Sequence, residues 1–145
     1  MIFSNIYMQK IRILIADDHL MARQALVFVL NSDTRFQVIA ECESGEEAIE
    51  KSRELQPDIV VMDINLPGID GIEATGKILE FSPGSKILGM SMHTQPSYAN
   101  TIMEKGALGY LTKNSSRDEM YKAIFEVYSG RKYVCAEIKN NSLGY

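Results

Sequence analysis

Apolar positions along the chain follow two spacings that alternate. Short apolar runs occur at Ile11–Ala16, Phe36–Cys42, Asp58–Met62, Lys86–Ser91 and Gly109–Thr112. Each has the length of a strand, and several are rich in Ile and Val. Between them the apolar residues recur at helical spacing. In His19–Leu30 the residues Leu20, Met21, Ala25, Val27, Phe28 and Leu30 exceed a single stripe, which predicts a helix buried on more than one side. Ser44–Leu55 opens with Ser44 and Glu47 at capping-box spacing and would bury Ala48, Ile49 and Leu55. Gly71–Phe81 carries Ile72, Ile78, Leu79 and Phe81. Thr94–Lys105 is the weakest helical pattern, polar at its start and bounded by Pro96 and Gly106, and Ser115–Tyr128 would be capped by Ser115 or Ser116 and bury Met120, Ile124 and Val127. Five strands alternating with five helices predict an α/β fold whose parallel sheet is covered on both faces. Residues 1–9 read as an N-terminal extension, and Arg131–Tyr145 as a docking turn followed by a frayed end.

Chemistry gathers at the strand ends, where doubly wound sheets bind their ligands. The first run ends in two adjacent aspartates, Asp17 and Asp18, the third in Asp63, the fourth in Ser91 and the fifth before Lys113. With the first and third strands as neighbours, three carboxylates converge beside a hydroxyl and an ammonium. Like charges held together resist ionisation unless a cation joins them. An all-oxygen donor set suits a hard ion, Mg²⁺ or Mn²⁺. One divalent ion and Lys113 would balance the three aspartates, so that a transferring phosphoryl group meets a neutral pocket in which an aspartate oxygen can attack.

Composition narrows the function further. The chain has 145 residues, 46% hydrophobic and 23% charged, which fits one domain with a sizeable core. A net charge of −4 without a Lys/Arg cluster argues against nucleic-acid binding by this chain alone. No apolar run reaches the roughly 18 residues of a membrane span, and the start, MIFSNIYMQK, lacks a signal-peptide pattern. Cys42 and Cys135 share no metal spacing and read as reduced thiols of a cytoplasmic protein. One aspartate of the Asp17–Asp18 pair could serve as a helix cap, but two of them after a buried run, with Asp63 elsewhere, favour a metal. His19 and His93 sit in loops beside a hard-oxygen site and are not expected as ligands. Gly68 and Gly71 read as turn formers.

The set Asp17–Asp18, Asp63, Ser91 and Lys113 resembles the receiver domain of two-component response regulators, over about Lys10 to Lys132. The stretches MDINLPGIDGIEA and GALGYLTK look most like the NarL/LuxR-type subfamily. The resemblance implies a flavodoxin-like (βα)5 sandwich with a five-stranded parallel sheet in the order 2-1-3-4-5. Residues 10–132 would be the receiver, and 133–145 a tail or the start of a linker to an output domain outside this chain. It implies Asp63 as phosphoacceptor, and Asp17, Asp18, Asp63 and the Asn65 backbone carbonyl as metal ligands. Ser91 and Lys113 would contact the phosphoryl group, and Tyr110 is either a switch residue or a packed core aromatic. A sensor histidine kinase would be the donor in a self-catalysed transfer, and the product a switch rather than a turnover enzyme. The output would be transcription, or binding to another protein. A homodimer on phosphorylation is implied, through the first and fifth helices, where Phe28, Tyr121 and Tyr128 are either exposed anchors or, the preferred reading, core. Two positions depart from the family's pattern: Asn114 stands where proline often follows the lysine, and Met92 where a small residue often follows the hydroxyl. A haloacid-dehalogenase-type phosphohydrolase usually needs a second Asp two positions after the nucleophile, and that position is Asn65. A flavodoxin-like FMN binder would have its phosphate repelled by the DDHL loop.

Overall fold

The computed structural model describes residues 9–143; the expected extension at residues 1–9 lies almost wholly outside them. The chain alternates β1 (Ile11–Ala16), α1 (Leu20–Asn31), β2 (Phe36–Cys42), α2 (Gly45–Leu55), β3 (Ile59–Asp63), α3 (Gly71–Phe81), β4 (Lys86–Ser91), α4 (Pro96–Glu104), β5 (Gly109–Thr112), α5 (Arg117–Tyr128), β6 (Tyr133–Val134) and α6 (Ala136–Leu143). The sheet runs β2-β1-β3-β4-β5-β6, and every pairing is parallel. The central strands are buried on both faces, which is why they read as unbroken apolar runs: all of Ile59–Asp63 is buried, as are Ile13, Leu14, Ile15 and Ala16 of β1. Each fully buried Ile or Leu in such a layer contributes about 1.5–3 kcal/mol relative to exposure. One register shift, opposite Ile13 and Leu14, leaves Ile39 of β2 as an extra residue in that edge strand.

Local signals set the helix starts. Ser44, Asp70 and Ser116 occupy N-cap positions, and each side-chain oxygen accepts from the backbone amide three residues on, of Glu47, Glu73 and Glu119. The Glu47 carboxylate turns back to accept the Glu43 amide at 2.8 Å. Helix α1 begins differently. His19 is its N-cap and makes no side-chain cap bond, so neither Asp17 nor Asp18 is used as a cap.

The structure corrects the sequence reading in three places. The sheet has six strands, not five. The tail adds β6 and α6: the Tyr133 amide donates to the Leu108 carbonyl and the Cys135 amide to the Tyr110 carbonyl, both at 3.0 Å, and Cys135 and Ile138 are buried. A docking turn and frayed end therefore do not describe the chain up to residue 143. Third, α1 buries one stripe only, Arg23, Leu26 and Leu30. Met21 is 83% exposed and Phe28 75%, and Tyr128 of α5 is 44% exposed, so Phe28 and Tyr128 are surface residues rather than core. Tyr121 belongs to the packing. Its hydroxyl donates to the Val29 carbonyl at 2.6 Å and its ring meets Phe36 edge-on, which fixes α5 beside α1 on one face of the sheet.

Candidate functional site

The site forms where β1, β3, β4 and β5 end together. Pairing of β1 with β3 brings Asp17 beside Asp63, and pairing of β4 with β5 brings Ser91 beside Thr112, one residue before Lys113. Asp17 and Asp63 are buried, Asp18 is at the rim, and the Lys113 stem is mostly covered. Lys113 Nζ donates to Asp17 Oδ2 at 2.8 Å and to Asp63 Oδ2 at 3.1 Å. It is the bridge of the site. The remaining oxygens are held by backbone: the His19 amide donates to Asp17 Oδ1 and the Asn65 amide to Asp63 Oδ1, both at 2.9 Å.

The two buried carboxylates have different affinities for a proton. Burial raises both, because a charge leaves water. At Asp17 the Lys113 and His19 hydrogen bonds outweigh that cost, and its pKa falls below the usual carboxylate value. At Asp63 burial wins over the bonds from Asn65 and Lys113, with the Asp17 charge adding to it, and its pKa is raised. Burial opposes the Lys113 charge, but the bond to Asp17 and the field of Asp63 together raise its pKa, so the ammonium is kept. Of the two buried carboxylates Asp63 is therefore the more basic, next to a fixed cation.

Three carboxylates against one ammonium leave an excess of two negative charges, and a divalent ion would cancel it. The donor set fits one: an oxygen of each of Asp17, Asp18 and Asp63, with His19 Nδ1, lie within 4.8 Å of one another. His19, set aside by its loop position, stands 3.2 Å from Asp17 Oδ1 and 3.3 Å from Asp18 Oδ1. His93 is not in this group; its ring stacks on Tyr98, centroids 4.1 Å apart.

Ser91 and Tyr110 form the adjoining layer. The Ser91 hydroxyl is buried and accepts the His93 amide at 3.0 Å, so it faces its own loop rather than Asp63. Tyr110 is fully buried, and its hydroxyl donates to the His93 carbonyl at 3.0 Å. Burial pushes this phenol up to about 12, opposed by its contact with the Ser91 hydroxyl. The ring has room because its partner across the sheet is Gly89, where a Cβ would stand 3.2 Å from Tyr110 Cδ1. Met92 projects into solvent, 63% exposed, and the Lys113–Asn114 bond is trans.

Two contributors, Arg23 and Thr112, carry no site role in the sequence reading, and a third, Gly71, reads there only as a turn former. Arg23 is a buried cation in a largely apolar helix: Nη1 donates to the Asp17 carbonyl at 2.7 Å, and the guanidinium pairs with Glu41 and Glu43 at 3.1 and 3.4 Å. An arginine among the apolar residues of His19–Leu30 was the available signal. Gly71 is more than a turn former. Its amide donates to the Ile64 carbonyl at 2.8 Å, and a Cβ there would overlap the Asp63 carbonyl oxygen, so α3 can press against the strand end that carries Asp63 only with glycine at this position. Thr112 donates to Glu137 Oε1 at 2.6 Å, tying α6 to the residue before Lys113. Beside Asp17 and Lys113 a cleft of about 230 Å³ opens between α1 and α5, walled by Ala22, Leu26, Met90 and Met120.

Comparison with known proteins identifies relatives of the chain and of its fold. The sequence profile described as the response regulator receiver domain matches residues 13–125. The response regulator GacA of Pseudomonas viridiflava is 38% identical over 128 residues, which are 88% of this chain and 60% of GacA. The chain thus spans about three-fifths of the length of that curated relative. A crystal structure of a LuxR-family two-component response regulator from Aurantimonas sp. superposes with a TM-score of 0.88 at 35% identity, over 94% of this chain and 97% of that one. The signal receiver domain of the NarL response regulator of Mycobacterium tuberculosis superposes with a TM-score of 0.82 at 29% identity, over 86% of this chain and all of that one. Among the described residues, no helix is long and apolar enough to cross a membrane.

Proposed function

The chain belongs to the response regulator receiver domain family, and from that premise we propose that it is the phosphoacceptor switch of a two-component response regulator, with Asp63 as the acceptor. The observation that carries this is the Lys113 ammonium shared between two buried carboxylates, Asp17 and the more basic Asp63.

In the reaction an Asp63 oxygen attacks the phosphorus of a phosphohistidine on a sensor histidine kinase. The P–N bond breaks and its electron pair returns to the imidazole nitrogen, which takes up a proton from solvent. Asp63 becomes an acyl phosphate. The Asn65 amide keeps one Asp63 oxygen fixed, so attack comes from a carboxylate of set orientation. Lys113 lies 3.1 Å from Asp63 and is placed to hold a phosphoryl oxygen as charge builds on it. Mg²⁺ or Mn²⁺, held by Asp17, Asp18, Asp63 and the Asn65 backbone carbonyl, would supply charge neutralisation when bound. Drawing the Ser91 hydroxyl toward the new group removes the acceptor of the His93 amide. Tyr110, bonded to the same residue's carbonyl, is placed to sense that change. The residues move a phosphoryl group once per cycle, which makes the chain a switch rather than a turnover enzyme.

As output we assign control of transcription through a DNA-binding domain outside this chain, the length of the GacA-type relatives being the support. We place the chain in the cytoplasm with its kinase. Phosphorylation tightens a homodimer through α1 and α5, for which exposed Phe28 and Tyr128 are apolar anchors.

Incubation with acetyl phosphate and Mg²⁺ should add the mass of one phosphoryl group to the intact chain, and Asp63→Asn should abolish the gain. Equal incorporation in that variant refutes Asp63 as acceptor.

A further inference from the structure

Helix α6 is tied to two segments that border the site: the loop after β4, which follows Ser91, and the end of β5, one residue before Lys113. Thr112, adjacent to Lys113, donates to Glu137 Oε1 at 2.6 Å. On the other side, Asn141 Nδ2 donates to the Thr94 carbonyl at 2.8 Å. The loop from Ser91 to Thr94 is thus held at three successive points: the His93 amide by Ser91 Oγ, the His93 carbonyl by the Tyr110 hydroxyl, and the Thr94 carbonyl by Asn141. Two of those ties come from residues that the site itself uses. The third comes from α6. A separate anchor fixes the start of α6 to α5, because Glu119 Oε2 accepts both the Ala136 amide and the Tyr133 hydroxyl at 2.9 Å.

We infer that Glu137 and Asn141 are positioning residues of the phosphorylation site, docking α6 onto its unphosphorylated form and releasing it when Asp63 is modified. The inference rests on the reading of Asp63 as phosphoacceptor. If Ser91 turns toward a group on Asp63, the His93 amide loses its acceptor, and the loop is free to carry the Thr94 carbonyl away from Asn141. The path is contiguous: each step is one hydrogen bond on the next residue. Glu137 grips the opposite rim, so a shift of Thr112 with Lys113 loosens the same helix. Coupling of this kind is reciprocal. Whatever factor modification of Asp63 contributes to releasing α6, loss of the α6 ties contributes to binding at Asp63. A helix that merely braced the fold would act with the opposite sign, since its loss would weaken binding.

Cys135 is a built-in reporter. It lies at the junction of β6 and α6, is fully buried, and its amide donates to the Tyr110 carbonyl. Cys42, at the end of the far edge strand and equally buried, is the internal reference. The experiment uses the whole chain with Mg²⁺ and beryllofluoride. Fluorine NMR reports occupancy at Asp63, and alkylation of each thiol is followed by peptide mass. Beryllofluoride should speed alkylation of Cys135 by about fivefold or more while Cys42 keeps its rate. Glu137→Ala and Asn141→Ala should each lower the beryllium concentration for half-saturation, and Glu137→Gln, which retains an acceptor for Thr112, should stay near wild type. Bound beryllofluoride with an unchanged or slower Cys135 overturns the inference, and so do alanine variants that bind it equally or more weakly. The wild-type thiol result decides the matter alone if a variant fails to fold. Absence of any bound fluorine signal refutes the Asp63 reading first, and the role of α6 falls with it.

Discussion

Replacing Lys113 with Met isolates the electrostatics of the site. The change keeps an apolar stem of similar length and removes the one ammonium between two buried carboxylates. Lys113 is 15% exposed, and Asp17 and Asp63 only 2% and 4%. Each charge-assisted bond contributes about 1.5–3 kcal/mol, so two bonds, at 2.8 and 3.1 Å, set the gross loss. The variant recovers part of it, because removing Lys113 also removes that residue's own desolvation cost and the carboxylates can take up a proton or a metal ion. A net loss of about 2–3 kcal/mol at pH 7 follows, which lowers the melting temperature of a chain this size by about 5–10 °C. The pH dependence gives the sharper test. In wild type the raised Lys113 pKa contributes stability below pH 10.5 that is lost as pH rises through its folded value. The lowered Asp17 pKa contributes stability above pH 3.8 that is lost as pH falls through its folded value, whereas the raised Asp63 pKa has the opposite sign and costs stability once Asp63 ionises. Without Lys113 both carboxylates shift upward. The variant should therefore gain stability relative to wild type as pH falls below 7. It should also gain more from millimolar Mg²⁺, since the excess negative charge grows from two to three. Thermal melts in chelator and in Mg²⁺, across this pH range, measure both effects. A variant as stable as wild type in chelator, with an equal or smaller Mg²⁺ shift, refutes the account.

Other outcomes follow from the same geometry. Asp18→Ala should raise stability slightly in chelator, by about 0.5–1 kcal/mol, by relieving like-charge repulsion at the rim, and should remove most of the Mg²⁺-dependent rise in melting temperature; an unchanged Mg²⁺ response refutes its place in the cluster. Gly71→Ala should cost about 2 kcal/mol or more in urea unfolding, because its methyl group overlaps the Asp63 carbonyl; a neutral result would show that α3 shifts freely. Phe28→Ser should leave the monomer's stability within about 0.5 kcal/mol, as an exposed position does, while weakening any beryllofluoride-induced dimer seen by sedimentation. Unaltered dimerisation removes Phe28 from that interface.

The α/β alternation is legible because it rests on short-range rules, and the convergence of Asp17, Asp18, Asp63 and Lys113 follows from it once the first and third strands are neighbours. Buried parallel strands read as apolar runs, and the residue after such a run lies at the sheet's carboxyl edge. What escaped depends on tertiary context. The two residues of β6 show no alternation to detect, and α6 is AEIKNNSL, whose Asn and Ser disfavour helix and whose apolar anchors are few. Backbone pairing with β5 and the carboxylate of Glu119 hold that segment instead. In α1 the apolar count was read correctly and its direction was not. Met21 and Phe28 face outward, and periodicity cannot distinguish a second buried face from a surface kept apolar for a partner. A charged residue in a helix is normally solvated, and only the fold shows that the Arg23 guanidinium reaches the Asp17 carbonyl.

The shortness of β6 has a bearing on how the protein behaves at high concentration. A sheet's outer ladder of unpaired amides and carbonyls is a template for any extended chain that drifts past, and natural sheets shield it. Here β5, four residues long and buried, would be that outer ladder, and Tyr133–Val134 occupy it, the amides of Tyr133 and Cys135 donating to the Leu108 and Tyr110 carbonyls. What is left facing outward on this side of the sheet is too short to recruit a neighbour. A version of the chain cut after α5 would lose this guard, and should precipitate or form strand-exchanged oligomers at concentrations where the uncut chain stays dispersed.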